Sequence, residues 1–372
     1  MFGVDGAYGR HYSFLKAVAA LWHVVVDPHV RGTFKIDLDQ VFPQADLVAA
    51  TGRSAFEHLT TATWGAHGVD AKGRPVELGM IAGSLVNERD IGRGLFTPDV
   101  PYPHGPPAID EHVFFSRLPQ ALSTAVEMAE RRASWPRDGG TACLERIHVT
   151  GGTNGVLVDS LRRQRPFTPG FIGRAEDQAY LLSVLGRTGP RLAYAHAAGL
   201  VMRHDKEAFA GESIAAARIG TLVGDYVRVL DFSACVDAIS GDGADGAPGP
   251  ADVKDLIDPF TGCFVSHLPV TVTLLRFGLR LARFVTDGDL AAAHEFALVG
   301  ARRIGEALDR TLDRSRVRDE IRRERAGWNT CFDALDALEA GIRQGDPGAL
   351  ALRDRGREII AGCRVGASRA PH

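Results

Sequence analysis

The chain has no C-x-x-C pair, because its five cysteines, Cys143, Cys235, Cys263, Cys331 and Cys363, are scattered over 372 residues. That spacing excludes a zinc knuckle and indicates no disulfide framework, so a reducing, cytoplasmic setting is expected. No apolar run reaches the roughly 18 to 20 residues that a membrane span requires. The opening MFGVDGAYGRHYSF also lacks the basic-then-apolar order of a signal peptide. Peripheral contact with the inner face of a membrane stays open. Basic excess is missing too: a formal net charge of -3 supplies no field for non-specific nucleic-acid binding, and no nucleic-acid partner is expected. His104, His112 and His148 form no metal spacing, and Ser54, Ser84 and Ser116 have no nucleophile-elbow context.

What is there is a hydrophobic content of 45% and an ordinary charged fraction of 24%, enough to bury a large core in one domain with an appendage, or in two domains. From Ser13, the apolar residues Phe14, Leu15, Val18, Ala19, Leu21 and Trp22 recur at helical spacing. That helix should stop near Asp27-Pro28, where proline disfavours continuation. Thr33 to Ile36 reads as a strand, Val69 to Pro75 as a hairpin connection, and Val76 to Val86 as an apolar strand. Five prolines between Pro98 and Pro107 mark an irregular loop. A helix is expected from Phe114 to Arg132, a second loop at Trp135 to Gly140, and a strand from Glu145 to Thr150 running into a small-residue turn, Gly151-Gly152-Thr153-Asn154-Gly155. Beyond residue 210 helical patterns dominate, over Glu212 to Leu230 and Val270 to about Cys363, with a Gly/Asp/Pro-rich loop between Ser240 and Pro250. The expected organisation is an α/β domain over residues 1–210, with an insertion at about 51–140, and a mainly helical region over 211–372.

The chemistry concentrates at Asp37-Leu38-Asp39, directly after the first strand. Open α/β sheets place their ligands at strand C-terminal ends, and two carboxylates at i and i+2 can approach one hard cation that also takes diphosphate oxygens. A nucleoside diphosphate leaves readily only once its developing charge is neutralised. Alone, Asp-x-Asp is a weak motif, since acids near a strand end are more often solvated loop residues. The same strand and Asp-x-Asp-x-Val also resemble the nucleophile motif of a haloacid-dehalogenase-like phosphatase, with Asp37 as nucleophile and Asp39 as acid/base.

Further residues extend the pattern. After the small-residue turn come Val156-Leu157-Val158, the basic pair Arg162-Arg163, Phe167-Thr168-Pro169-Gly170-Phe171 and Gly173-Arg174-Ala175-Glu176-Asp177. A helix from Gln178 to Leu185, a strand at Leu192 to Tyr194 and Val201-Met202-Arg203-His204 follow. In this order, residues 6 to 210 resemble a GT-A-fold nucleotide-sugar glycosyltransferase of the family 2 type. The resemblance implies a Rossmann-like mixed sheet flanked by helices. It further implies a manganese or magnesium ion on Asp37 and Asp39 with His204 as third ligand, and Asp177, beside Glu176, as the base of an inverting transfer. Acids at a helix start are favoured by the helix dipole and stay ionised at neutral pH.

Carried over in the same way, Arg10 would contact phosphate, Gly152, Thr153 and Asn154 would lie against the substrate, and Trp64 of the insertion would stack on a sugar face. The implied partners are a nucleotide-sugar donor and a sugar or other hydroxyl acceptor, with homo-oligomer formation or membrane contact assigned to the C-terminal helices. Two departures stand out. Only 36 residues precede Asp37, where the family plan places a strand, helix and strand that hold the nucleoside, so the first nucleotide-binding units are expected to be absent. The stretch from Asp39 to Glu176 also exceeds a minimal domain of this kind. A non-catalytic remnant that binds a partner is therefore the third reading.

Overall fold

In the computed structural model the described residues are 12–36, 45, 48–49, 52–54, 57, 65, 67–69, 75–86, 153–173, 176–184, 189–203, 218–240 and 265–362. They combine a mixed five-stranded sheet with helices, an α/β arrangement in which helix predominates. The chain opens with α1 (Tyr12–Val25) and β1 (Gly32–Ile36). The strands β2 (His67–Val69), β3 (Pro75–Val86) and β4 (Thr153–Leu157) follow. Next come α2 (Val158–Gln164), α3 (Glu176–Leu182) and β5 (Arg191–Arg203). The remainder is helical: α4 (Arg218–Ser240), α5 (Pro269–Thr286), α6 (Leu290–Thr311), α7 (Arg314–Gln344) and α8 (Pro347–Gly362).

Strand β1 pairs antiparallel with β4, with Ile36 opposite Thr153 and Gly32 opposite Leu157. β4 pairs antiparallel with β3 through Met80 to Ala82, and β2 pairs antiparallel with the start of β3 through Pro75 to Glu77. The other edge of β3 is taken by β5, which runs parallel to it from Val76–Arg191 to Val86–Arg203. The hairpin expected between Val69 and Pro75 is thus present. The turn expected at Gly151 to Gly155 differs, because Thr153 to Gly155 are already extended against β1, and Val158 opens α2 instead of continuing a strand. Strand β5 is far longer than the expected Leu192 to Tyr194. Its Ala-, Gly- and His-bearing sequence has no alternation to betray a strand, and parallel pairing with β3 holds it extended.

Helix α2 is fixed on β3 by a buried acid. The Glu77 side chain, 2% exposed, accepts from Ser160 Oγ, from Gln164 Nε2 at 3.2 Å, and from Nε and Nη2 of Arg163. Burial pushes the Glu77 carboxyl up, but the bonds from Arg163, Ser160 and Gln164 together hold it below the ordinary carboxylate range. Gly79 permits this approach, since a Cβ there would lie 2.6 Å from the Ser160 Cβ. It also sits at a register shift between β3 and β5. At the end of α2, Arg165 adopts a left-handed conformation (φ 49, ψ 51) just before Pro166, where an extended backbone is the norm. Its guanidinium reaches Asp333 at 2.6 Å and Asp336 at 2.8 Å on α7, and Arg162 meets Asp336 and Glu339 of the same helix. The basic residues of α2 therefore act as struts between the sheet and α7.

Two cores result. The larger draws Ala20, Met80, Val156, Leu161, Phe167 and Tyr180 from the α/β part together with Phe232, Cys235, Val317 and Phe332 from the helices, so it crosses residue 210. The smaller lies wholly among α4, α5 and α6. Its centre is Phe296, with Phe277 stacked at 5.0 Å and the rings of Phe284 and Tyr226 edge-on at 5.5 and 6.1 Å. Asp289 caps α6 through the Ala292 N–H, and Asp313 caps α7 through Ser315 and Arg316. Among the described residues, no helix is long and apolar enough to cross a membrane.

Candidate functional site

The sheet directions decide which sequence-predicted residues share an end of the molecule. Because β4 is antiparallel to both β1 and β3, those two run the same way, and β5 is parallel to β3. The C-terminal ends of β1, β3 and β5 therefore lie at one end of the sheet, with the start of β4 among them. Strand β1 stops at Ile36, the residue before Asp37, and β5 stops at Arg203, the residue before His204. Thr153 and Asn154 stand beside Ile36 and Lys35 in the ladder, and Asn154 also pairs with Ala82 of β3. Asp37, Asp39, His204, Gly152, Arg10 and Trp64 themselves lie outside the described residues. Among the described residues no group of three His, Cys, Asp or Glu is placed to hold a metal ion.

Strand spacing sets what such a site needs. With neighbouring strands about 4.8 Å apart, β1 and β5 are separated by three spacings, on the order of 14 Å. Where β3 has the single residue Gly83, β5 inserts Ala197 to Leu200, an irregularity of the kind that re-aims a strand near its end.

The acidic pair begins a helix, as the sequence suggested. Helix α3 starts at Glu176, two residues earlier than expected, and ends at Leu182. The Ser183 hydroxyl stops it by donating to Tyr180 O at 2.7 Å and accepting from Phe167 N at 3.0 Å. The Thr168 hydroxyl donates to the Glu176 carbonyl at 2.9 Å, while the Thr168 N–H donates to Ser13 Oγ in the first turn of α1. The connection from α1 to β1 is short, and α1 packs on β1, α2 and α3. Thr168 thus ties the start of α3 to the first turn of α1. Backbone placement of Asp177 at the second position of α3 is described; its side chain is not among the described ones.

One group near this loop was not anticipated. Asp231 of α4 lines a small cavity of about 120 Å³ with Ile172 and Gly173, just ahead of the acidic pair, and with Arg228 and Arg303. Burial pushes the Asp231 carboxyl up to about 6, against the pull of Arg310 and Arg303; Arg310 donates to it at 2.7 Å. The sign in the sequence was Asp225, Arg228 and Asp231 recurring every three residues among the apolar residues Leu222 to Phe232. Glu324 of α7 is also half-buried against the loop and accepts the Gly170 N–H at 2.9 Å with both oxygens. Burial raises its carboxyl, and the Gly170 bond pulls the other way.

Comparison of the chain with protein-family models, with curated proteins and with solved structures gives no match.

Proposed function

We propose that the chain is a metal-dependent glycosyltransferase of GT-A type, moving a sugar from a nucleotide-sugar donor to a hydroxyl acceptor. The observation that carries this reading is the common direction of β1, β3 and β5, whose ends lead directly into Asp37 and into His204 with the start of β4 between them. Residues separated by more than a hundred positions thus leave the sheet at one end, as a shared site requires. The tie from Thr168 to Glu176 and to α1 supports placing the acidic helix start beside the first turn of α1.

Two carboxylates and an imidazole form a donor set of hard and borderline ligands, suited to manganese and compatible with magnesium. When bound, that ion would neutralise charge on the departing diphosphate. The chain's own residues supply the rest. The Asp177 carboxylate takes the proton of the acceptor hydroxyl as its oxygen forms the new bond to the sugar, and the bond from the sugar to the diphosphate breaks on the opposite face, giving inversion. Asn154 and Thr153 border the donor beside the end of β1, and Arg10 adds charge for phosphate.

The test is transfer from a panel of nucleotide sugars with Mn²⁺ or Mg²⁺. Asp177→Asn should lower turnover by about 10²- to 10⁴-fold. Asp39→Ala should remove both Mn²⁺ binding and transfer, and both variants should keep the parent melting temperature. Full activity in either variant removes the corresponding residue from the mechanism. Phosphate release from a sugar phosphate, with an aspartyl-phosphate trapped at Asp37, replaces the proposal with a phosphatase.

A further inference from the structure

A cleft of about 500 Å³ opens where the last turns of α4, the start of α5 and the junction of α6 with α7 come together. That volume is in the range of small-molecule sites, and such sites in helical regions form between helices. The cleft has an apolar floor. Leu230, Ala234 and Ala238 recur at four-residue spacing along α4 and so share the face turned to it, and Leu312 and Val317 close the floor from the α6–α7 junction.

The polar groups on its walls are unbalanced. Arg314 and Arg318 of α7, His267 before α5 and Thr271 in its first turn are donors, and among the described residues the lining acid is Asp237 of α4. Asp237 meets Arg314 at 3.6 Å, a long pair with both side chains open to water. Arg318 forms no ion pair among the described residues. Its one hydrogen bond runs from Nε to the Arg314 carbonyl at 3.4 Å, which leaves both Nη groups uncommitted. His267 and the Thr271 hydroxyl have no hydrogen-bond partner among the described residues either.

We infer that this cleft binds an organic oxyanion, a carboxylate or phosphate head on an apolar body, with the head on Arg314 and Arg318 and the body on the floor. Arg314 and Arg318 stand one turn apart on α7, so their guanidinium groups reach the same opening. The guanidinium fork of N–H donors matches the paired oxygens of either head group. Thr271 and His267 add donors from the α5 wall. Other classes of ligand fit less of the cleft. A bare anion would leave the apolar floor uncovered, a neutral apolar molecule would leave the arginines unanswered, and a cation would meet two arginines for one carboxylate. The sugar-transfer reading uses none of these residues, so the inference stands or falls apart from it.

The experiment is calorimetric titration of the full chain with octyl phosphate, octanoate, inorganic phosphate and octylamine. Octyl phosphate or octanoate should saturate a single site, and the tighter of the two identifies the head group. Inorganic phosphate and octylamine should bind at least about tenfold more weakly. Arg318→Gln should weaken the tighter octyl ligand by about tenfold or more, the usual loss with a hydrogen bond between charged groups. It should keep the parent melting temperature, because Arg318 anchors no acid in the free chain. Leu312→Asn, at a side chain 62% exposed, should weaken the same ligand severalfold, also without a change in melting temperature. Absence of saturable binding by either octyl anion overturns the inference, as does binding indifferent to Arg318→Gln. Octylamine binding as tightly as the anions overturns it in favour of a purely apolar cleft, and inorganic phosphate binding as tightly overturns it in favour of a bare anion site.

Discussion

The sheet unit and the C-terminal helices both bury charge, but in different numbers: Lys16 and Glu77 in the one, and Asp225, Arg228, Asp231, Arg276 and Arg280 in the other. In the sheet unit Glu77 is buried with every bond engaged by α2, Lys16 of α1 is buried as well, and Arg162 and Arg165, partly buried, reach across to acids of α7. In α4 and α5 the charged residues Asp225, Arg228, Asp231, Arg276 and Arg280 lie inside, and on α5 Leu274, Leu275 and Leu279 face out. A single buried carboxylate with four donors fixes one packing arrangement of helix on strand. A layer of buried charge instead lines the small polar cavity beside the acidic loop, where Arg228 and Asp231 stand.

The strongest way to break this comparison is to empty the helical core. Phe296→Ala should cost about 3–5 kcal/mol, the usual loss for a fully buried aromatic. Its loss of hydrogen-exchange protection should concentrate in α4, α5 and α6, whose aromatic cluster is separate from the shared core. Equal loss in β3 and α2 would mean that the two regions unfold as one.

A smaller effect separates the two kinds of buried acid. Asp231 has its folded-state carboxyl raised from 3.8 to about 6, so the folded chain binds the proton more tightly and its stability falls as pH rises from about 4 to above 6. That slope amounts to roughly 2–3 kcal/mol at full development. Asp231→Asn should flatten it in denaturant melts at successive pH values. Glu77 has the opposite sign: its carboxyl is lowered, so its contribution is present above the unfolded value and is lost as pH falls through the folded one. An unchanged slope in Asp231→Asn would assign the pH dependence elsewhere.

The smallest expected effect tests the sheet unit. Gly79→Ala should cost about 1–3 kcal/mol by overpacking, because the new methyl meets the Ser160 side chain and the neighbouring Leu192. Chemical denaturation reads this directly, and a neutral result would mean that α2 can shift away from β3 without losing its bonds to Glu77.

Much of the architecture was legible in residue order. The periodic apolar residues after Ser13 gave α1, Thr33 to Ile36 gave β1, and the helical character from Val270 to about Cys363 gave the region that α5 to α8 occupy. What resisted was β5, whose thirteen residues have no alternation, and the length of β4, hidden under a glycine-rich appearance. Neither strand carries its own signal, since each is extended because a partner backbone bonds to it. The basic pair Arg162-Arg163 shows the same limit at the level of side chains. In the sequence they stand only as a basic pair with no partner in view, because the acids that meet them are far away in sequence, at Glu77 and on α7.

By itself the sequence determined the local matters: which segments are helical, which are apolar, and the order in which Asp37, Asp39, Glu176, Asp177 and His204 occur. Those follow from propensity, periodicity and short-range spacing, which a chain carries at every point. Only the tertiary structure decided that β1, β3 and β5 run the same way and end together, that Asp231 lies buried beside the loop that leads into the acidic pair, and that α5 turns its arginines inward. Strand direction, burial and the facing of a helix depend on which distant partner each segment meets, and that information exists only once the chain is packed.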